Sequence, residues 1–393
     1  MKFFIKSYKN KMNKFVIILL IFSFISCEKL SFQSKLFSYL QESPSKNICI
    51  SPLSIYQILS LASNSATGET LSEIINTLIP DKQNNSIEKS QSLLNTNNIN
   101  ILNIYNSNNE KVKIANAILS KIRMTKDFIE IGKKYNALID TLRDEKQVNS
   151  WCSEKTNGKI NKIIDKIDPL TVMILLNAVY FKGFWSKKFQ KSLTMKKPFY
   201  NLNNKSKEKK VDKMKNVEDF NYYEDKEVQI VELPYKKDSM SAIVILPNEK
   251  KNINAFISEL NDEKLQRLLK KMSYQRVRLE LPKFKLEYTS ELNNVLKKLG
   301  MNKPFDKYSA NFLGIGYELY IDQILQKTYL KVDEAGTEAA AVTVVTVREK
   351  GAMIVKRPKI YSMIVERPFL FLLKNNKLPI NNEMLFMSKI EKL

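Results

Sequence analysis

The chain has no histidine among its 393 residues. Histidine is the side chain that most often serves as a general base at neutral pH, and it is the commonest protein ligand of metal ions. A Ser-His-Asp or Cys-His nucleophile therefore cannot be assembled within this chain. With only three cysteines besides, zinc sites of the usual ligand count are also excluded.

Glycine and proline are scarce as well, with 9 and 12 residues. Long disordered linkers are rich in such residues, so the composition predicts a folded globular chain. There is no glycine-rich phosphate loop and no carboxylate pair in a recognisable setting. We therefore expect neither an enzyme nor a bound cofactor or metal. Cys49 and Cys152 lie beside apolar or aromatic residues, which predicts free, buried thiols.

Positive charge is in excess, because 64 Lys and Arg face 41 Asp and Glu and give a formal net charge of +23. The densest basic stretch, residues 205–215, is interrupted by Glu208 and Asp212 and has no interleaved aromatic residue. This pattern favours a solvated loop over a nucleic-acid site. The overall charge leaves a polyanion or a membrane surface open as a partner.

Residues 1–26 have the pattern of a signal peptide, whether translation starts at Met1 or at Met12. A lysine-rich start is followed by an apolar run over residues 15–25 that is too short to span a bilayer comfortably. The letters FISC at residues 24–27 resemble a bacterial lipoprotein box. We therefore expect lipidation of Cys27, with plain secretion as the alternative. Both predict an extracellular, periplasmic or cell-surface protein.

Helical spacing dominates the first part of the mature chain, and strand-like patterns dominate from residue 228 onward. No linker and no repeat divides residues 27–393, so we predict a single α+β domain with a large sheet. Residues 84–109 are rich in Asn and Ser and predict loops. Residues 171–181 form an apolar run typical of a strand covered on both faces, in which Asn177 needs a partner if it is buried.

Residues 331–350 read KVDEAGTEAAAVTVVTVREK, a segment with two opposed local preferences. Residues 337–341 are small or helix-tolerant, whereas residues 342–347 form a β-branched run. As a strand, the segment would place the charged Glu338 and Arg348 on one face. The other face would be uncharged, carrying Thr337, Ala339, Ala341, Thr343, Val345 and Val347. An ordinary buried strand and a segment built to change conformation both fit this pattern.

Several motifs, taken in order, identify a resemblance to the serpin family across nearly the whole mature chain. They are NICISPLSI at 47–55, NSW at 149–151, TNGKI at 156–160, NAVYFKGFW at 177–185, LPKF at 281–284, LGM at 299–301, GTEAAA at 336–341 and RPFLF at 367–371. The resemblance implies three β-sheets with about nine helices. It also implies an exposed reactive-centre loop, here about residues 334–362. In inhibitory members a target protease cleaves this loop, which then inserts into the large sheet while the protease remains attached as an acyl-enzyme.

The resemblance also assigns roles to individual residues. The hinge that enters the sheet comprises Glu334, Gly336, Thr337, Glu338, Ala339, Ala340, Ala341 and Thr343. Glu334 and Lys283 match positions that pair at the top of the sheet near Trp185. Ser51, Ser54 and Asn177 match a polar cluster that controls sheet opening, and Gln326 replaces the family's usual histidine there. Glutamine cannot become charged, so pH gating through this position is expected to be absent.

The position of the cleaved bond depends on the end from which the loop is measured. Counting from the hinge gives the bond between Lys350 and Gly351, whereas counting back from Arg367 gives a bond near Lys356 or Arg357. We favour Lys350, because the number of loop residues that can insert into the sheet is limited, so the count from the hinge is the better guide. Each alternative is basic, so the expected partner is a trypsin-like serine protease bound covalently to a serpin monomer. A cysteine protease that accepts Lys or Arg is the alternative target. A non-inhibitory serpin, acting as a binding or chaperone module, is the alternative function.

Overall fold

Nine α-helices and sixteen β-strands lie in the part of the chain that the computed structural model describes, namely residues 31–40, 46–80, 85–106, 112–201, 208–236, 239–317, 319–337, 359–378 and 383–393. The helices are α1 (Phe32–Leu40), α2 (Pro52–Ser63), α3 (Gly68–Leu78), α4 (Ile87–Asn106), α5 (Lys126–Lys134), α6 (Glu145–Lys155), α7 (Ile253–Ser258), α8 (Asp262–Lys270) and α9 (Asn293–Lys298).

The strands follow the same chain order. They are β1 (Ile48–Ile50), β2 (Val112–Ser120), β3 (Ala137–Thr141), β4 (Met173–Phe181), β5 (Gly183–Phe184), β6 (Met195–Tyr200), β7 (Glu208–Glu224), β8 (Val228–Pro234), β9 (Met240–Pro247), β10 (Ser273–Pro282), β11 (Phe284–Glu291), β12 (Gln323–Asp333), β13 (Gly336–Thr337), β14 (Tyr361–Ile364), β15 (Phe369–Asn375) and β16 (Met384–Ile390).

A seven-stranded sheet contains the segments that matter most for function. Its strands run β3-β2-β4-β12, with β11 on the other edge of β12 and with β13 and β5 at one end. Strands β4 and β12 are parallel and hydrogen-bonded directly to each other, in a register that pairs Asn177 with Gln326. No strand lies between them in the described part of the chain. We call this contact the β4–β12 interface, with its upper end at Phe181 and Asp333 and its lower end at Met173 and Gln323.

The second sheet has nine strands, and the long strand β7 joins its two portions. Strands β6 and β10 pair with β7, and β14 lies beyond β10. The last residues of β7 pair with β8, which leads to β9, β15, β16 and β1. These two portions and the seven-stranded sheet correspond to the three sheets expected, and the predicted α+β architecture is confirmed for the described residues.

Strand β4 is buried along its whole length, because side chains pack on both of its faces. On one face Leu175 joins a cluster that includes Ile58 of α2. On the other face Leu176 joins a cluster that includes Trp151 of α6. The prediction of a strand covered on both faces is therefore confirmed. Strand β4 is central in its sheet, and a cluster of apolar side chains packs on each of its faces.

Two local expectations from the sequence are wrong. Residues 84–109, expected as loops, contain the 20-residue helix α4, because Leu94, Ile101 and Leu102 recur at helical spacing and are buried. The basic stretch is not a solvated loop from residue 208 onward, since this part lies in β7. Lys213 within it is buried, with its ammonium 3.8 Å from the carboxylate of Glu366.

Cys49 and Cys152 are free and buried, as predicted. Burial raises the pKa of the Cys49 thiol to about 11 and that of the Cys152 thiol to about 12, so both stay protonated at neutral pH. Across the described residues no group of acidic, Cys or His side chains has the arrangement of a metal site. Within that same part of the chain, no helix has the length and apolar character needed to cross a bilayer.

Candidate functional site

A buried polar cluster crosses the middle of the β4–β12 interface. The amide oxygen of Asn177 accepts hydrogen bonds from the Ser54 hydroxyl (2.7 Å) and from the Gln326 amide (2.6 Å). Gln326 also donates to the Ser51 carbonyl (3.1 Å), and its amide oxygen accepts from the Ser51 N–H (2.9 Å). Asn177 in turn donates to Asn116 of β2 at 2.7 Å. The cluster therefore ties α2 to three adjacent strands of the large sheet.

The cluster has no charge and no titratable side chain, although its members are buried. Each hydrogen bond joins neutral groups. Because several of these bonds cross the interface between β4 and β12, opening it would leave amide and hydroxyl groups without partners. An unsatisfied buried polar group costs roughly 1–3 kcal/mol. The cluster thus resists separation of the two strands, and it does so independently of pH near neutrality.

At the upper end of the interface, the chain leaving β12 turns back and begins a new strand. Gly336 and Thr337 of β13 pair antiparallel with Asp333 and Val332 of β12, and on their other side with β5. The Thr337 side chain is fully buried, and its hydroxyl shares a hydrogen bond with the Tyr235 hydroxyl at 2.6 Å. These two hinge residues therefore already occupy the position that a longer inserted strand would extend.

Glycine is required at position 336 by the closeness of this pairing. A Cβ at Gly336 would lie 1.9 Å from the carbonyl oxygen of Gly183, which is backbone and cannot move aside cheaply. Any side chain at position 336 would therefore prevent β13 from pairing so closely with β5.

Glu334 lies at the turn before β13 and holds several groups together. Its carboxylate accepts hydrogen bonds from the Thr194 hydroxyl (2.9 Å) and the Lys283 ammonium (3.1 Å). Burial acts to raise the pKa of the Glu334 carboxyl, but hydrogen bonds from its own N–H, Thr194 and Lys283 outweigh burial and hold the pKa below its usual range. Glu334 is therefore ionised at neutral pH.

Trp185 packs against the same turn. Its backbone N–H donates to the Ala335 carbonyl (2.9 Å), and its indole N–H donates to the Asp333 carbonyl (3.0 Å). Its ring stacks on Tyr235 with centroids 4.5 Å apart. The three residues assigned to this region, Lys283, Trp185 and Glu334, are thus brought together around the start of the hinge.

At the lower end of the interface a carboxylate joins the two strands. One Asp322 carboxylate oxygen accepts hydrogen bonds from the backbone N–H groups of Val172 (2.6 Å) and Met173 (3.0 Å). The Asp322 N–H also donates to the Met173 carbonyl at 3.0 Å. The start of β12 is therefore held to the start of β4 by a side chain as well as by backbone pairing.

Several predicted site residues lie outside the described residues. They are Cys27, the hinge residues Glu338, Ala339, Ala340, Ala341 and Thr343, and the cleavage candidates Lys350, Gly351, Lys356 and Arg357. The loop's C-terminal anchor is described, and its strand β14 pairs parallel with β10 from Tyr361 to Ile364.

Sequence reasoning missed four residues of the site, namely Asn116, Thr194, Tyr235 and Asp322. Asn116 carried a usable signal, because it is a polar residue inside the otherwise apolar run of β2, as Asn177 is inside β4. The other three lie in unremarkable local patterns and reach the site only through chain topology.

Comparisons with known proteins agree with this geometry. The sequence profile of the family described as "Serpin (serine protease inhibitor)" matches residues 28–393. "Serpin B6" of Bos taurus is 33% identical over 367 residues, covering 88% of this chain and 94% of that one. "Intracellular coagulation inhibitor 2" of Tachypleus tridentatus is 29% identical over 374 residues, covering 88% and 86%. The crystal structure of the thermophilic serpin tengpin in the native state matches with a TM-score of 0.80 at 33% identity, over 92% of each chain.

Proposed function

Because the chain belongs to the serpin family, we propose that it is a suicide inhibitor that traps trypsin-like serine proteases as a covalent acyl-enzyme. The observation that carries the proposal is the state of the large sheet. Strands β4 and β12 are in direct contact, while Gly336 and Thr337 have already entered between β12 and β5. The sheet is therefore closed but has an inserted start from which a longer strand can grow.

The chemistry is that of a protease acting on its substrate. The protease's serine oxygen attacks the carbonyl carbon of Lys350, and its catalytic histidine passes the serine proton to the leaving amine of Gly351. The peptide bond breaks, and an ester joins Lys350 to the protease. Insertion of the freed loop then competes with attack of water on that ester. This chain therefore supplies the cleaved bond and the inserting strand, and the protease supplies the catalytic groups.

The pairing of β13 supports Lys350 as the cleaved residue. Continued in the same antiparallel register, an inserted strand would bring Thr346 opposite Gln323 of β12 and also opposite Ile174 of β4. These two residues lie at the lower end of the interface, so Lys350 would follow the last paired residues after a very short tether. A protease held there is pulled against the end of the sheet.

Cleavage at Lys356 would be mechanically less effective. The chain from Thr346 to Lys356 would add roughly 30 Å of slack beyond the paired strand. A slack tether transmits little force to the protease active site, so the ester would be hydrolysed. Arg357 carries the same objection.

The alternative, a non-inhibitory binding or chaperone module, is less well supported. Its hinge would carry bulky or charged residues on the inward face, whereas residues 339–341 are all Ala. Relatives with inhibitor names also favour inhibition, among them the "Leukocyte elastase inhibitor" of Xenopus tropicalis at 30% identity.

We further propose that the protein acts as a monomer outside the cytoplasm, where it is either secreted or anchored through a lipid on Cys27. Polyanions or membrane surfaces are the proposed additional partners of its basic surface.

Incubation with trypsin followed by denaturing gel electrophoresis tests the inhibitor proposal. We expect a covalent band at the summed mass of the two proteins, together with loss of trypsin activity. Mass spectrometry should show that the released C-terminal peptide begins at Gly351. In a matched pair, Lys350→Ala should abolish the covalent band and Lys356→Ala should leave it. Complete cleavage with fully active trypsin would instead identify a non-inhibitory serpin.

A further inference from the structure

A cavity of about 320 Å³ opens at the lower end of the β4–β12 interface. Ile174 and Gln323 line it from the two strands, and the connection over residues 164–171 covers it from the side of α6. Its charged lining residues are Asp168, Asp322 and Lys166. The cavity therefore has a net negative lining at the point where an inserted strand would end.

The register of β13 also determines which loop side chains would face this cavity. Continued pairing would bring Thr343 level with Asn177 and Gln326, on the face that carries the buried polar cluster. Side chains alternate along a strand, so Thr346 and Arg348 would point to the opposite face. Ile174 lies on that opposite face, packed in the cluster that contains Trp151 of α6, and it lines the cavity.

Asp322 needs a new partner when the sheet opens. In the closed sheet its carboxylate accepts from the N–H groups of Val172 and Met173. Separation of β4 from β12 removes both donors and leaves a carboxylate at the wall of the cavity. A guanidinium offers several N–H donors in a fixed planar arrangement that matches a carboxylate.

We propose that this cavity is the seat of Arg348 in the inserted state, and that Asp322 exchanges its two β4 donors for the Arg348 guanidinium, with Asp168 as the second acidic residue of the seat. The proposal rests on the proposed function because it requires loop insertion. The seat anchors the strand two residues before Lys350. The ester to the protease is therefore held directly against the end of the sheet.

A double-mutant cycle on the cleaved protein tests this seat. A thermolysin-type metalloprotease cuts the loop without forming an acyl-enzyme, so the cleaved form is obtained whether or not the protein inhibits serine proteases. Only product cut within residues 351–355, before one of the apolar residues there, is used, as identified by mass spectrometry, so that Arg348 stays on the inserting segment. The variants are Arg348→Ala, Asp322→Asn and their combination. Asp165→Asn is the matched control, since Asp165 is exposed, pairs with Lys162 and does not line the cavity.

We expect Arg348→Ala and Asp322→Asn each to raise the unfolding equilibrium constant of the cleaved form roughly three- to tenfold in guanidinium chloride. The double variant should lose no more than either single variant, and Asp165→Asn should be additive with Arg348→Ala. Additive effects of Arg348→Ala and Asp322→Asn in the cleaved form would overturn the seat, as would a crystal structure of the cleaved protein with Arg348 in solvent. If cleavage gave no gain in stability at all, insertion itself, and with it the proposed function, would fail first.

Discussion

Glu334 makes three hydrogen bonds to other segments of the chain at the start of the hinge. Its carboxylate binds Thr194 and Lys283, while its carbonyl accepts from the N–H of Phe189 at 3.0 Å. The carboxylate is largely buried, so loss of its partners leaves a charge that water cannot fully solvate. We infer that this residue holds the turn that starts β13 in the closed sheet.

Glu334→Gln should destabilise the native protein by about 1–2 kcal/mol at pH 7, because a charge-assisted pair with a partly exposed lysine becomes a neutral contact. The folded pKa of Glu334 lies below its usual value of 4.5. Its contribution is therefore fully present above that value and is lost as the pH falls through the lower, folded pKa. The midpoint of unfolding in guanidinium chloride should be measured for wild type and variant from pH 7 to pH 3. The two midpoints should differ at neutral pH and converge in acid. An equal difference at every pH would contradict this assignment.

Strand β13 is the element from which the proposed insertion would start. It has only two residues, yet it is paired on both sides and Thr337 is fully buried. The uncharged face predicted for residues 337–347 begins at this buried threonine. During insertion, every second residue after Thr337 would be buried on the same face of the sheet. A charged side chain at any of these positions would therefore have to be buried in the core.

Thr337→Arg should therefore convert the inhibitor into a substrate. Thr337 already lies in the closed sheet beside Tyr235, so an arginine would expel β13 from that position. Insertion would then have to bury the charge, and it would be slowed enough for water to release the protease. Glu338→Arg is the matched control, because residue 338 belongs to the opposite face and already carries a charge. The number of inhibitor molecules consumed per trypsin inactivated should rise at least about tenfold in the first variant and stay near the wild-type value in the second. Equal inhibition by both variants would exclude face-specific insertion.

At the scale of the whole molecule, the proposed function requires that the cut chain can leave the closed sheet with a gain in stability. Insertion would replace one interface between β4 and β12 with two new ladders and would bury the uncharged face of the loop. Each added backbone hydrogen bond contributes on the order of 1 kcal/mol. The polar cluster around Asn177 and Gln326 and the hydrogen bonds of Asp322 to Val172 and Met173 oppose the opening, so they contribute to its barrier.

Cleavage of the loop by a thermolysin-type metalloprotease should therefore raise the thermal denaturation midpoint by at least about 10 °C. Scanning calorimetry of intact and cleaved protein measures the shift. The same cut in Thr337→Arg serves as the control and should give a much smaller rise. An unchanged midpoint in cleaved wild type would mean that the loop stays outside the sheet.

The sequence by itself determined the family, the α+β class and the uncharged alternation of the hinge, because these depend on residues close together in the chain. It also determined that the polar cluster is neutral, since Gln326 stands where a histidine is usual. Only the tertiary structure decided which distant residues complete the site. Tyr235 reaches Thr337, Thr194 reaches Glu334, and Asp322 reaches the start of β4 through sheet pairings between remote segments. The helix over residues 87–106 was decided in the same way, because burial of a few apolar side chains outweighed the weak local preference of an Asn-rich segment.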